Sequence, residues 1–136
     1  MCIALGDGVG DAEDVVQESF VRAARVIPAL HTSAVRPYLR TTVVNLRRDR
    51  SRRGGRRSRT LEPVATEQDH AGPVVEREVV WGALLRLSPR QRECLVLRFY
   101  EDLAEREIAG LLRCSVGSVK VHVHRGLRRL KAEVTR

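Results

Sequence analysis

Apolar and polar residues alternate with the period of a helix along most of the chain and nowhere with the period of a strand. From Asp11 onward, Val16, Phe20, Ala23 and Ile27 recur on one face, and Asp11 and Asp14 lie where a helix dipole favours negative charge. The pattern predicts a helix over 11–26 with Val16 and Phe20 in its core face. Pro28 ends it. Ala29 to Arg36 read as a loop, and Pro37 suits the first turn of a second helix, 37–51, with Leu39, Val43 and Leu46 inward and Arg40, Arg47, Arg48 and Arg50 outward. Arg52 to Pro73 contains Gly54-Gly55, clustered arginines and then Glu62, Glu67 and Asp69, with no period that could bury a face. This segment reads as a flexible linker.

Beyond it, Val75, Val79, Leu84 and Leu85 predict a helix over 74–87. Ser88-Pro89-Arg90-Gln91 marks a restart: serine caps, proline fits the first helical position, and Gln91 stands three residues on, as in a capping box. That helix runs to Phe99, and two more follow over 103–112 and 116–134, the last capped by Ser115. In the last, Val116, Val119, Val123, Leu127 and Leu130 form the apolar stripe, leaving Lys120, His122, Arg125, Arg128 and Arg129 for other faces. The expected fold is all-α, with two small helical modules joined by a flexible linker.

Charge narrows the partners. Lys and Arg number 25 against 17 Asp and Glu, a formal net charge of +8, which favours nucleic acid ahead of a membrane surface. Cys2, Cys94 and Cys114 are odd in number and in no metal-ligand spacing, as in a reduced cytosolic protein with structural cysteines. No apolar run reaches the ~18 residues of a membrane span, and Met1 to Gly10 lacks the basic start of a signal peptide. His31, His70, His122 and His124 have no metal spacing or nucleophile partner, and no glycine-rich phosphate loop is present. No cofactor, metal or enzymatic site is expected, and the expected location is the cytoplasm.

Leu103 to Arg125 meets the requirements of a helix-turn-helix. Ala109 is small where the helices approach, Ile108 and Leu112 supply the inner face, and Val119 can pack beneath them. Ser118, Lys120, Val121, His124 and Arg125 then project from the second helix, with Ser115 at its head, as candidate DNA contacts. A helical hairpin with a solvated basic face is the other reading of the same pattern.

Ser88-Pro-Arg-Gln-Arg-Glu-Cys-Leu-Val-Leu-Arg-Phe-Tyr-Glu-Asp-Leu, Glu107-Ile-Ala and Ser115-Val-Gly-Ser-Val-Lys resemble region 4 of sigma-70 family factors, particularly the extracytoplasmic-function group. In that family region 4 recognises the −35 promoter element. Asp11-Ala-Glu-Asp-Val-Val-Gln-Glu-Ser-Phe is similar to region 2.2, which docks on the β′ clamp helices of RNA polymerase; the resemblance implies core-polymerase contacts at Asp14, Gln17 and Glu18, of which the acids Asp14 and Glu18 would be repelled by phosphate. Tyr38-Leu39 through Asn45 and Asp49 is similar to regions 2.3 and 2.4. By that resemblance Asn45 holds an extruded −10 base, the Ala29 to Arg36 loop sets specificity, and Arg40, Arg47, Arg48 and Arg50 meet DNA.

The resemblance implies a region 2-like module over 1–53, a linker over 54–73 and a region 4-like module over 74–136. It implies core RNA polymerase (β′ clamp helices and β flap) and promoter DNA as partners, and allows an anti-sigma factor that clamps the modules together. Three departures stand out. Family members usually carry a helix ahead of the Asp-Ala-Glu-Asp motif, so region 2 is expected to be N-terminally incomplete; Arg113 takes the place of a turn glycine; Val121 and His122 replace a commoner Ser-Arg pair. A stand-alone helix-turn-helix regulator and a truncated factor that binds partners without initiating are the rival readings.

Overall fold

The computed structural model describes residues 9–54 and 74–135, and every regular element among them is helical. They form two compact units, each with its own core.

The first unit comprises α1 (Val9–Ala24), a 3-10 turn (Ile27–Ala29) and α2 (Thr32–Gly54). Asp11 occupies the first turn of α1, as its charge requires. The buried face of α1 keeps Ala23 of the expected stripe but not Val16 or Phe20. Ala12, Val15, Ser19 and Ala23 are buried, whereas Val16 is 39% and Phe20 55% exposed. Small residues let α1 and α2 approach closely, and Ser19 enters the core because its hydroxyl donates to the Val15 carbonyl at 2.7 Å. From α2, Val43, Val44 and Leu46 complete the core.

α2 also begins earlier than expected. The segment taken for a loop, Ala29 to Arg36, is helical from Thr32, so Pro37 lies inside the helix. The His31 ring supplies the start: its Nδ1 accepts from the Ser33 N–H at 3.3 Å and lies 2.8 Å from the Ser33 hydroxyl, while the His31 carbonyl accepts from the Ala34 N–H at 2.8 Å. With a first turn closed ahead of it, Pro37 forfeits only the bond a donor there would make to the Ser33 carbonyl. At its other end α2 continues through Gly54, past the expected linker start at Arg52. Residues 55–73, most of the expected linker, lie outside the described residues.

The second unit comprises α3 (Val74–Leu85), α4 (Pro89–Leu95), a π-helical turn (Val96–Tyr100), α5 (Glu105–Leu112) and α6 (Val116–Val134). α6 packs against α3, α4 and α5 together. Its inner positions are Val119, Val123 and Gly126; Val116 and Leu127, expected in the same stripe, are exposed. Gly126 matters for spacing. A Cβ there would lie 3.1 Å from Leu95 Cδ1 and 3.2 Å from its Cγ, so any larger residue would require Leu95 to shift.

The joint between α3 and α4 is held by a side chain that pattern alone does not single out. Arg92 donates from Nε to the Leu84 carbonyl at 3.0 Å and from one terminal nitrogen to the Leu85 and Leu87 carbonyls, each at 3.1 Å. The Leu84 and Leu85 carbonyls belong to the end of α3, where the dipole favours a cation, and Leu87 lies in the turn that follows. Ser88 caps α4 as expected, accepting from the Gln91 N–H at 3.4 Å, with Pro89 at the first helical position. The capping box is half made: Gln91 Oε1 is buried without a protein partner and does not return the bond. Arg86 adds an ion pair to Glu133 at 2.7 Å, tying the end of α3 to the end of α6.

Cys94 is fully buried, and burial raises its thiol pKa from the ordinary 9.0 to about 12, with Cys114 and Glu93 adding to the rise and Arg90 opposing it. It is therefore a structural thiol, as expected. The protonated form is the one the fold favours, so its contribution to stability is complete below pH 9 and is lost as pH climbs toward 12. In the native chain Cys94 should resist iodoacetamide at pH 8.5 and react only after denaturation, as peptide mapping by mass spectrometry will record. Arg92→Met should destabilise the second unit by about 2 kcal/mol, since it strips charged donors from three part-buried carbonyls. Urea titration followed by Trp81, the sole tryptophan, reads that unit alone; an unchanged midpoint would show that the clamp is dispensable.

Candidate nucleic-acid interface

A helix can read DNA only if one face is fixed by packing and the opposite face is left open. α5 and α6 meet this condition. Ile108, Leu112 and Val119 are 0–2% exposed, and Ala109, 6% exposed, is small where the two helices cross. The turn is closed by Arg113 in the left-handed region, φ 54° and ψ 48°, while the Cys114 N–H donates to the Ala109 carbonyl at 3.1 Å. Ser115 then restarts the chain as the cap of α6, accepting from the Ser118 N–H at 3.0 Å. Helix, left-handed closure and capped helix follow within three residues, which is the tight turn a helix-turn-helix needs.

The sequence-derived contacts of α6 fall together on its outer side. Lys120, Val121, His124 and Arg125 are exposed, Ser118 is half-buried beside them, and Arg128 and Arg129 extend the cationic surface along the helix. Arg125, Arg128, Arg129 and Ala132 line a shallow depression on the same helix. Ser115 is exposed; its hydroxyl oxygen uses one lone pair on the cap and keeps its O–H and a second lone pair for an outside partner. Sequence reasoning missed a neighbour of this strip: Glu105, first residue of α5, stands 4.0 Å from the Lys120 ammonium. No spacing rule links two residues on different helices, so only the fold brings this pair together.

In the first unit the candidate residues divide between two helices. Asp14 and Gln17 are exposed and Glu18 half-buried along α1, next to the exposed apolar residues Val16, Phe20 and Val21. Glu18 accepts from Arg22 Nε at 3.0 Å one turn on. Along α2, Arg40, Asn45, Arg47 and Arg48 are half-buried and Arg50 exposed. Arg50 lies 3.8 Å from Asp14, so a cation of one candidate surface touches an acid of the other. The earlier start of α2 turns most of the expected specificity loop into helix, leaving the 3-10 turn and residues 30–31 as the non-α-helical connection. Among the described residues no cluster of His, Cys, Asp and Glu could hold a metal ion, and no helix is long and apolar enough to cross a membrane.

Comparison with known proteins returns the same two-part division. Residues 3–57 match the family model described as Sigma-70 region 2, and residues 77–130 the model described as Sigma-70, region 4. The chain is 33% identical to an RNA polymerase sigma-E factor of Streptomyces avermitilis over 132 residues, covering 91% of this chain and 71% of the relative. It is 28% identical to the ECF RNA polymerase sigma-E factor of Salmonella typhimurium, covering 85% and 70%, and 27% identical to the ECF sigma factor SigW of Bacillus subtilis, covering 98% and 81%. Among solved structures, the sigma factor RpoE of Bartonella quintana, crystallised with the anti-sigma factor NepR, superposes with a TM-score of 0.71 at 24% identity, over 98% of this chain and 87% of that one. At that identity the likeness bears on the fold.

The left-handed Arg113 carries a measurable strain. A residue with a Cβ costs roughly 1 kcal/mol or more in that region relative to glycine. Arg113→Gly should therefore raise the melting midpoint of the second unit by about 4 °C or more, read by Trp81 fluorescence. A lower midpoint would mean that the Arg113 side chain makes a stabilising contact that outweighs the strain.

Proposed function

The chain belongs to the sigma-70 family of RNA polymerase sigma factors, which direct core polymerase to promoters, and from that premise we propose how its residues divide the work. The region 4-like module, 74–136, takes the −35 element through Ser115, Ser118, Lys120, Val121, His124 and Arg125. The region 2-like module, 1–53, takes core polymerase through Asp14, Gln17 and Glu18, and the −10 element through Asn45, Arg40, Arg47, Arg48 and Arg50. Residues 54–73 link the two.

The observation that carries the −35 assignment is the outer strip of α6: cations and short polar side chains, fixed from behind by Val119 and Val123, on a capped helix that follows a tight turn. Such a helix fits the major groove, with its early residues near base edges and its later cations near phosphates. The core-polymerase assignment rests on the face of α1 that packing leaves uncovered. Phe20 and Val21, each 55% exposed, stand beside Asp14 and Gln17. Apolar surface beside an acid suits a protein groove, whereas phosphate would repel Asp14.

The chain supplies binding free energy and leaves the chemistry of RNA synthesis to polymerase. Separation of the strands then follows from tighter binding to the melted −10 segment than to duplex, with Asn45 pairing to a base edge and the arginines of α2 neutralising the backbone. The site of action is the cytoplasm, where polymerase and promoter meet. The solved neighbour was crystallised with an anti-sigma factor, and a regulator of that kind is proposed for this chain as well.

Reconstitution with core polymerase tests the assignment. The wild-type chain should give promoter-specific transcripts; a folded chain that leaves core unbound would overturn it. Phe20→Asp should weaken core association by roughly tenfold or more without moving the Trp81 melt, because Phe20 belongs to an exposed face of the other unit. Lys120→Ala and Arg125→Ala should each weaken binding to −35-containing duplex, and a residue that meets phosphate should also lower the slope of log affinity against log salt by about 1.

A further inference from the structure

The buried line of α6 runs through Val119, Val123 and Gly126. At 3.6 residues per turn, the opposite line runs through Gly117, Val121, His124 and Arg128. Gly117, Val121, His124 and Arg128 are all exposed. This outermost line is unusual for a surface helix because its first half has no polar side chain. Val121 is 45% exposed, and the turn before it presents only the bare backbone of Gly117. Packing inside the protein does not require that glycine. A Cβ at Gly117 would meet only Ser115 Oγ at 3.9 Å, an ordinary contact, and glycine is among the weaker helix formers. A missing side chain that the interior does not need leaves room for something approaching from outside.

We infer that Gly117 and Val121 form an apolar reading patch that takes the 5-methyl group of a thymine in the −35 element. The inference rests on the proposed −35 role of α6 and specifies what that helix reads. Charge identifies the occupant as DNA: the patch is bordered by Lys120, His124, Arg125 and Arg128, and the acid nearest these, Glu105 at 4.0 Å from Lys120, belongs to α5 and leaves the cations in excess. Among base edges in the major groove, thymine alone presents a methyl group, and apolar side chains are what recognise it. Gly117 lets the helix approach, and the branched Val121 side chain meets the methyl. Ser118 and Lys120 flank the patch and remain available to neighbouring bases and phosphates.

The test uses holoenzyme assembled from the full chain and core polymerase. A duplex library randomised over the upstream promoter element is enriched on it, and each thymine of the enriched element is then replaced in turn by deoxyuridine, which removes only the methyl. At one thymine the replacement should weaken binding about fourfold, equivalent to the ~0.8 kcal/mol of one buried carbon group. Val121→Ser should lower affinity for the thymine duplex and abolish the difference between thymine and deoxyuridine, whereas Val121→Thr, which keeps a methyl, should preserve it. Equal sensitivity to deoxyuridine in wild type and Val121→Ser, or an enriched element in which no thymine methyl matters, would overturn the patch while leaving the promoter reading standing. Failure of the holoenzyme to enrich any upstream sequence would instead overturn the −35 reading, and the patch with it.

Discussion

The close approach of α4 to α6 at Gly126 is the contact on which the reading head depends. A helix that must leave one side open to DNA can be anchored only from behind, and α6 meets three helices on that side. Leu95 lies so near the Gly126 backbone that a Cβ would fall 3.1 Å from it, and Leu95 itself sits in the core beside Cys94, Val96 and Leu97. Packing this dense resists small displacements, since interiors have little free volume to absorb them. The orientation of the outer strip of α6 is thus set by contacts on the far side of the helix.

Closure of helix ends does comparable work elsewhere. Arg92 gathers three carbonyls at the end of α3, Ser88 and Ser115 cap the helices that follow, and His31 opens α2 ahead of a proline. In chains this short, helices are marginal by themselves, and their ends are where unpaired backbone groups would otherwise be exposed or buried. The two serine caps could be read from sequence because a cap is local, with a donor three residues from its acceptor. The arginine clamp could not. Arg92 stands five to eight residues from its partners, across a chain reversal that only the finished fold defines.

The same distinction between local and non-local information explains what the sequence disclosed of the site. The helix-turn-helix was legible because its turn, its cap and its inner residues Ile108, Leu112 and Val119 lie within one short stretch at fixed spacing. The face of α1 was misjudged at Val16 and Phe20, which hydrophobicity favours, whereas Ala12, Val15 and Ser19 join the expected Ala23 in the packed face. The buried face carries Ala12, Ser19 and Ala23 beside Val15, and a serine satisfied by its own helix could enter the core. The loop expected at 29–36 failed for a related reason: Pro37 was read as a boundary, although a histidine cap allows a turn to form before it. The pairs Lys120 with Glu105 and Arg50 with Asp14 join separate helices, beyond the reach of any spacing rule.

Asp102 and Arg113, at φ 55° and 54°, bracket α5 with left-handed residues. Before α5, Asp102 closes the π-helical turn as the Leu103 N–H donates to the Leu97 carbonyl; after it, Arg113 closes α5 itself. Such closures act like detents in a mechanism. At its C-terminal end α5 stops at a distinct backbone state, Arg113, so its last turn has a defined boundary. Since one residue corresponds to about 100° of rotation, a single insertion within α5 would turn everything downstream by more than a quarter of a circle. The bearing of the outer face of α6 is therefore stored as a residue count: ten residues between the two left-handed positions, eight of them in α5.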